Sequence, residues 1–179
     1  MAEDKEKIVE RAEKFIAEYQ ESYSKAISEA REASATTATP AWQSSYSEQV
    51  ATHDKCVRHY ANEIQTAGRR IQDFDTTEVD EKCVKDAVKG LQEERASNQA
   101  WRNRAVMPFE SKANRCAELL QTIHREAQRL EQDVGLVNHG LCAEVSKIVS
   151  KWPVAEWNDG AGVVVITEPK AADSKQANG

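Results

Sequence analysis

The sequence predicts an all-α protein: an elongated up-down-up-down bundle of four long, coiled-coil-like helices, a shorter fifth helix and a short C-terminal extended segment. Three observations carry this. Ala, Glu, Lys, Leu and Arg make up 76 of the 179 residues, or 42%, which approaches the composition of long helices. Seven Gly and four Pro are too few for the turns of a many-stranded sheet or a Rossmann fold. The apolar residues alternate spacings of three and four, the period of one helical face. Leu, Ile, Val and Phe number only 32, or 18%, a share that alone would suggest disorder. The net charge of −6 is too small for that reading, and the periodicity opposes it.

Residues 3–34 contain no Gly or Pro and place Ile8, Ala12, Phe15, Tyr19, Tyr23, Ala26 and Ala30 on one stripe. The polar stretch from Ser34 to Pro40 is expected to be a loop. A second helix starts either at the capping box Ser45-x-x-Glu48 or with Pro40 in its first turn. Its seam is stricter: Tyr46, Val50, His53, Val57, Tyr60, Ile64, Ala67, Ile71 and Phe74 follow one another over four heptads. Asp73 to Thr77 breaks the pattern, with Thr77 as a candidate N-cap.

A third helix over about 78–106 opens with Val79, Cys83, Ala87, Val88 and Leu91, then fades through Glu94, Arg95 and Asn98 toward Trp101. It is expected to stop at Met107-Pro108, where proline fits a new first turn. The fourth helix carries Phe109, Ala113, Cys116, Leu120, Ile123, Ala127, Leu130 and Val134, with Gly135 as its C′ residue. The fifth, over 136–152, ends at Pro153. Asn158 to Gly162 reads as a turn, Val163–Thr167 as a strand without a visible partner, and the segment after Glu168 as a polar tail. Residues 1–157 thus form one bundle domain and 158–179 the turn, extended segment and tail. Ala41-Trp42 returns as Ala100-Trp101, Cys56 as Cys116 and Cys83 as Cys142, each 59 or 60 residues on. A duplicated hairpin, about 1–77 and 78–152, would produce that spacing.

Composition excludes several functions. No run of 18 apolar residues exists, so no transmembrane segment is expected. The charged first residues are not a Sec signal peptide, and four Cys are too few for a disulfide-dense secreted module. A cytoplasmic location follows, with export lacking a Sec signal as the alternative. The acidic balance argues against nucleic acid as a partner. Phosphate loops, nucleophile elbows and paired Glu-x-x-His motifs are missing, so neither an enzyme nor a cofactor is expected.

The residues with chemical potential fall into two groups. His53-x-x-Cys56 and His139-x-x-Cys142 present donors one helical turn apart. In the expected bundle, His53, Cys56 and Cys116 form one candidate zinc group and His139, Cys142 and Cys83 another. The same levels would suit disulfides Cys56–Cys116 and Cys83–Cys142. The plainer reading makes His53 a polar interruption of a seam and the Cys small core fillers. Trp42, Trp101, Arg102 and Arg104 are the candidate partner-binding residues, because Trp and Arg dominate binding hot spots. Their alternative role is a plug closing the end of the core.

Over residues 3–75, Trp42 in a W-Q-S motif between two helices resembles the Trp-x-Gly family of type VII secretion substrates, which are helical hairpins exported without a Sec signal. The Gly of that motif and the export signal after the second helix are not in this sequence. The resemblance implies an alternative function as a type VII-like secreted helical-hairpin protein. The reading that composition favours is a non-enzymatic helical protein acting through protein contacts, as a structural, adaptor or assembly component. Many seam positions are Ala, which buries little area, so partners, including a second copy, are expected to supply what the core lacks.

Overall fold

The computed structural model describes residues 4–72, 78–134 and 140–170. The fold is all-α in the main: α1 (Lys5–Thr37), α2 (Pro40–Gln72), α3 (Glu78–Trp101), a π-helical turn (Arg102–Val106), α4 (Met107–Val134) and α5 (Gly140–Val149), followed by strands β1 (Val154–Asn158) and β2 (Val163–Thr167). The chain divides into two compact units, one holding α1 with everything from residue 109 onward, the other residues 39–108. The divisions fall at the α1–α2 and α3–α4 joints and not near residue 77. Phe74, Thr77, Gly135 and His139 lie outside the described residues.

In the first unit, α1 begins at Asp4, whose carboxylate caps the amide of Glu6 at 3.5 Å. It runs three residues further than the polar composition of 34–40 suggested. The amide of Ala38 closes that end on the carbonyl of Ser34 at 3.0 Å, and hydroxyls add to it: Thr36 donates to the carbonyl of Glu32 at 3.0 Å, and Thr37 to that of Ala33 at 2.9 Å. Two apolar clusters hold the unit together. Ala12 and Ile16 pack with Ile123, Ala127, Leu141, Val145 and Val149. Tyr23, Ala26, Ile27, Ala30 and Ala33 pack with Ala113, Cys116, Ala155 and Val164. Early α1 thus meets late α4 and late α1 meets early α4, so the two helices run antiparallel. Alanine stands on both sides of this contact, at Ala12, Ala26, Ala30 and Ala33 of α1 and at Ala113 and Ala127 of α4.

The strand-like run Val163–Thr167 has a partner after all, in the five residues that follow Pro153. β1 and β2 pair antiparallel from Val154–Thr167 to Asn158–Val163. The turn between them closes through the amide of Gly162 on the carbonyl of Asn158 at 2.7 Å, with Gly162 at φ 65°. The Asn158 side chain accepts from the amide of Ala161 at 3.0 Å, and Asp159 accepts from the indole of Trp157 at 3.2 Å. One face of the hairpin, Ala155, Trp157, Val164 and Ile166, joins the α1–α4 core, so the segment straps the first unit. Arg31 on α1 pairs with Glu168 at 3.0 Å just beyond β2.

Ahead of the hairpin, Trp152 stacks on Tyr23 with ring centroids 4.5 Å apart, and the Tyr23 hydroxyl donates to the carbonyl of Pro153. At the other end of the unit, the buried carboxylate of Glu131 accepts from the amide of Cys142 at 2.8 Å. A side chain of α4 therefore caps the N-terminus of α5, where Gly140 could not.

In the second unit, α2 and α3 form an antiparallel pair. Three contacts at successive levels fix the register: Tyr46 with Trp101, His53 with Glu94, and Tyr60 with Gly90. Helix α2 takes the earlier of its two predicted starts. Thr39 is the cap, its carbonyl accepting from Gln43 at 3.0 Å and its hydroxyl from the amide of Trp42 at 3.4 Å. The expected stop at Met107-Pro108 does not occur, because the helix widens before the proline. The amide of Met107 bonds to the carbonyl of Arg102, five residues back. A proline in a helix lacks a donor and crowds the carbonyl four residues earlier, and one wide turn relieves both.

Candidate interaction surface

The partner-binding candidates all lie in the second unit, and the local structure explains their arrangement. Starting α2 at Pro40 places Trp42 in its first turn and Tyr46 one turn later on the same face. Across the antiparallel pair, Trp101 ends α3 at the same level. The rings form a row, with Trp42 and Tyr46 6.0 Å apart and Tyr46 and Trp101 5.8 Å apart. Tyr46 is the buried member, at 4% exposure, and both Trp are half-buried. The plug expected of the Trp residues is therefore Tyr46, and the two indoles lie against it with part of each ring toward solvent. Beside Trp101 the π-turn carries half-buried Arg102 and exposed Arg104, and Met107 at its far end is 53% exposed. Such widened turns recur at functional positions because they displace one residue from the regular helix.

Each expected cysteine pair draws one member from each unit. Cys56 and Cys83 belong to the second unit and Cys116 and Cys142 to the first, and all four are free thiols, so neither expected disulfide is formed. His53 turns its Nδ1 to Glu94 Oε1 at 3.2 Å, a half-buried polar contact across the α2–α3 seam. His59 faces Glu63 at 3.3 Å on the exposed side of α2. Cys116 is fully buried with its thiol 3.9 Å from the carbonyl of Lys112, and burial pushes its pKa up. Cys142 is pushed up to about 11, first by burial and then by the Glu131 carboxylate beside it. His59, Glu63, Cys83 and Asp86 border one cleft of about 400 Å³ between α2 and α3. Among the described residues, no group of three or more His, Cys, Asp or Glu side chains is placed to hold a metal ion.

Sequence reasoning missed Tyr46, Glu94 and Glu131. The first was visible only as a seam residue, although its position one turn after Trp42 puts both rings on one face. Glu94 belongs to the stretch where the α3 stripe fades, and the fading itself was the clue. A charged residue on one seam calls for a partner on the other, and His53 interrupts α2 at a similar remove from the α2–α3 connection. Glu131 gave no sign, since its role depends on where α5 begins.

Among the described residues no helix is long and apolar enough to cross a membrane. Comparison of the chain with family models, with curated proteins and with solved structures gives no match.

Proposed function

We propose that this chain is a non-enzymatic helical protein that works through protein–protein contacts, as a structural, adaptor or assembly component, and that the aromatic–basic end of the α2–α3 unit is a contact point. The observation that supports this is the row Trp42, Tyr46, Trp101 continued by Arg102 and Arg104. Tyr46 is anchored in the seam and fixes the two indoles, so a partner would meet rings already held in place. Rigid Trp beside Arg is the composition of binding hot spots, and prior ordering lowers the entropic cost of association.

The poverty of the seam beside it adds weight. Among the described residues of the second unit the buried apolar ones are Tyr46, Ala67, Ala87 and Val106, whereas the first unit buries Ile16, Ile123, Leu141 and Val145. Val50, Val57, Ile64, Val84 and Leu91 of the α2–α3 seam stay half-buried. A two-helix unit that covers its apolar side chains only partly gains by contact with another surface.

A photo-reactive amino acid in place of Arg104, irradiated in cells of the source organism, tests the reading. Covalent adducts to one or a few proteins are expected from position 104 and not from the exposed Ala61 of the same unit. Adducts from neither position, or equally from both, overturn it.

A further inference from the structure

A groove of about 410 Å³ runs along the first unit between α1, α4 and α5. Its walls are apolar: Phe15 and Tyr19 from α1, Leu130 from α4 and Leu141 from α5. The Phe15 and Tyr19 rings tilt together at 5.4 Å, both are half-buried, and Leu130 is 37% exposed. Here two large side chains of the α1 stripe, Phe15 and Tyr19, are only partly covered, while Ile16 between them is buried.

Charge around the groove is ordered by sign. Arg11, Lys14, Glu18 and Glu126 all line it; along α1 the cations precede the anion, and Glu126 acts with Glu18 on the Tyr19 hydroxyl. Positions 11, 14, 15, 18 and 19 follow the spacing of one helical face, so the cations and the anion are separated along α1 by about 6–10 Å. The Tyr19 hydroxyl senses the acidic end, its pKa raised by burial and then by Glu126 and Glu18. A surface with an apolar centre, cations at one end and anions at the other is complementary to itself after a half-turn.

We propose that this groove is a twofold self-association surface whose occupant is the same groove of a second copy of the chain. The half-turn sets Lys14 of each copy against Glu18 and Glu126 of the other, with Leu130, Phe15 and Tyr19 between them. The proposal deepens the protein-contact reading by naming one partner, and it uses a surface separate from Trp42 and Trp101. Partners of other composition fit less well. A uniformly acidic or basic helix would meet like charge at one end, and an uncharged one would leave both ends unmatched.

Sedimentation equilibrium of the full chain over a concentration series at low salt provides the test, with Lys14→Glu, Glu18→Lys and the double swap compared with the wild type. Both positions are exposed, and circular dichroism melts establish that each variant folds. The wild type is expected to exceed the 20.0 kDa of one chain and approach twice that mass. Each single swap creates like-charge contacts twice across the axis and is expected to weaken the dimer about ten-fold or more. The double swap restores the dimer. So does mixing the two single variants, because positions 14 and 18 are then both acidic on one copy and both basic on the other. A wild type that stays at one chain's mass overturns the proposal, as does a dimer that both single swaps leave intact. Either result leaves the Arg104 cross-linking outcome unaffected, so the two readings fail separately.

Discussion

The backbone amide of Val164 donates to the hydroxyl of Thr37 at 3.0 Å, joining the last residue of α1 to a strand 127 residues later. Thr37 is fully buried and donates in turn to the carbonyl of Ala33 at 2.9 Å. One hydroxyl thus completes the end of a helix and satisfies the buried amide of an edge strand. Strand β1 cannot serve that amide, since its bonds run along the other side of β2.

Thr37→Val keeps the shape and removes the acceptor, leaving the Val164 amide buried and unpaired. A loss of about 1–3 kcal/mol is expected, read from the midpoint of urea unfolding. Thr37→Ser retains both bonds and should lose only about 1 kcal/mol with the methyl group. Equal losses from the two variants would show that the hydroxyl is not what matters.

Two helix-interior glycines should respond to alanine with opposite sign. At Gly68 a Cβ meets nothing within 4 Å, so Gly68→Ala should stabilise the chain by up to about 1 kcal/mol through helix propensity. At Gly90 a Cβ would lie 2.5 Å from Cε1 of Tyr60 and 2.6 Å from Cζ, so the ring must leave the seam. Gly90→Ala is expected to destabilise by about 1–3 kcal/mol despite its better propensity. Thermal melts of the two variants check the contrast.

Tyr23 makes the stability fall at high pH. Burial, reinforced by Cys116 and Glu168 against the opposing Arg31, pushes its hydroxyl up to about 12 from the usual 10.0. The folded chain keeps this proton while the unfolded chain releases it. The contribution is therefore complete below pH 10 and disappears as pH rises from about 10 to 12, an effect of at most roughly 3 kcal/mol. Tyr23→Phe loses the bond to Pro153 and should flatten the slope in this window relative to wild type, measured by denaturant unfolding at a series of pH values.

The four thiols should react in an order set by their surroundings. Cys83 is exposed and Cys56 half-buried, whereas Cys116 is buried and Cys142 stands beside Glu131. Alkylation near neutral pH is expected to proceed in the order Cys83, Cys56, then Cys142 and Cys116. Cys142 should lag Cys83 by a factor of at least about ten. Glu131→Gln removes the neighbouring negative charge and should quicken Cys142 alone, which time-resolved mass spectrometry of the labelled peptides would reveal.

The long helices were legible because their evidence is local. Spacings of three and four, Pro40 with Thr39 before it, and the absence of internal Gly or Pro in residues 3–34 each act within a few turns. The turn from Asn158 to Gly162 and the strand after it were legible for the same reason. Strand β1 was not: Val154-Ala155-Glu156-Trp157-Asn158 is too short and too mixed to announce itself, and only its pairing with β2 makes it a strand. The end of α1 misled for a related reason, because four threonine and serine residues before a proline read as a loop until Thr37 is given Val164 to hold.

The candidate surface was half legible. Trp42, Trp101, Arg102 and Arg104 stood out by residue type. That Tyr46 takes the buried place between the two indoles depends on the α2–α3 register, which no local pattern sets. The cysteines lie two in each unit, and residue type and spacing carry no signal of that division.

By itself, then, the sequence determined the helical class, the periods and most of the helix starts, because these follow from propensity, capping and spacing within the chain's immediate neighbourhood. Only the tertiary structure decided the partner of β2, the π-turn before Pro108, the capping of α5 by Glu131 and the joining of His53 to Glu94. Each of these satisfies a buried polar group, or relieves a crowded one, with atoms distant in sequence or with a turn no local rule selects, and that requirement exists only once the chain has folded.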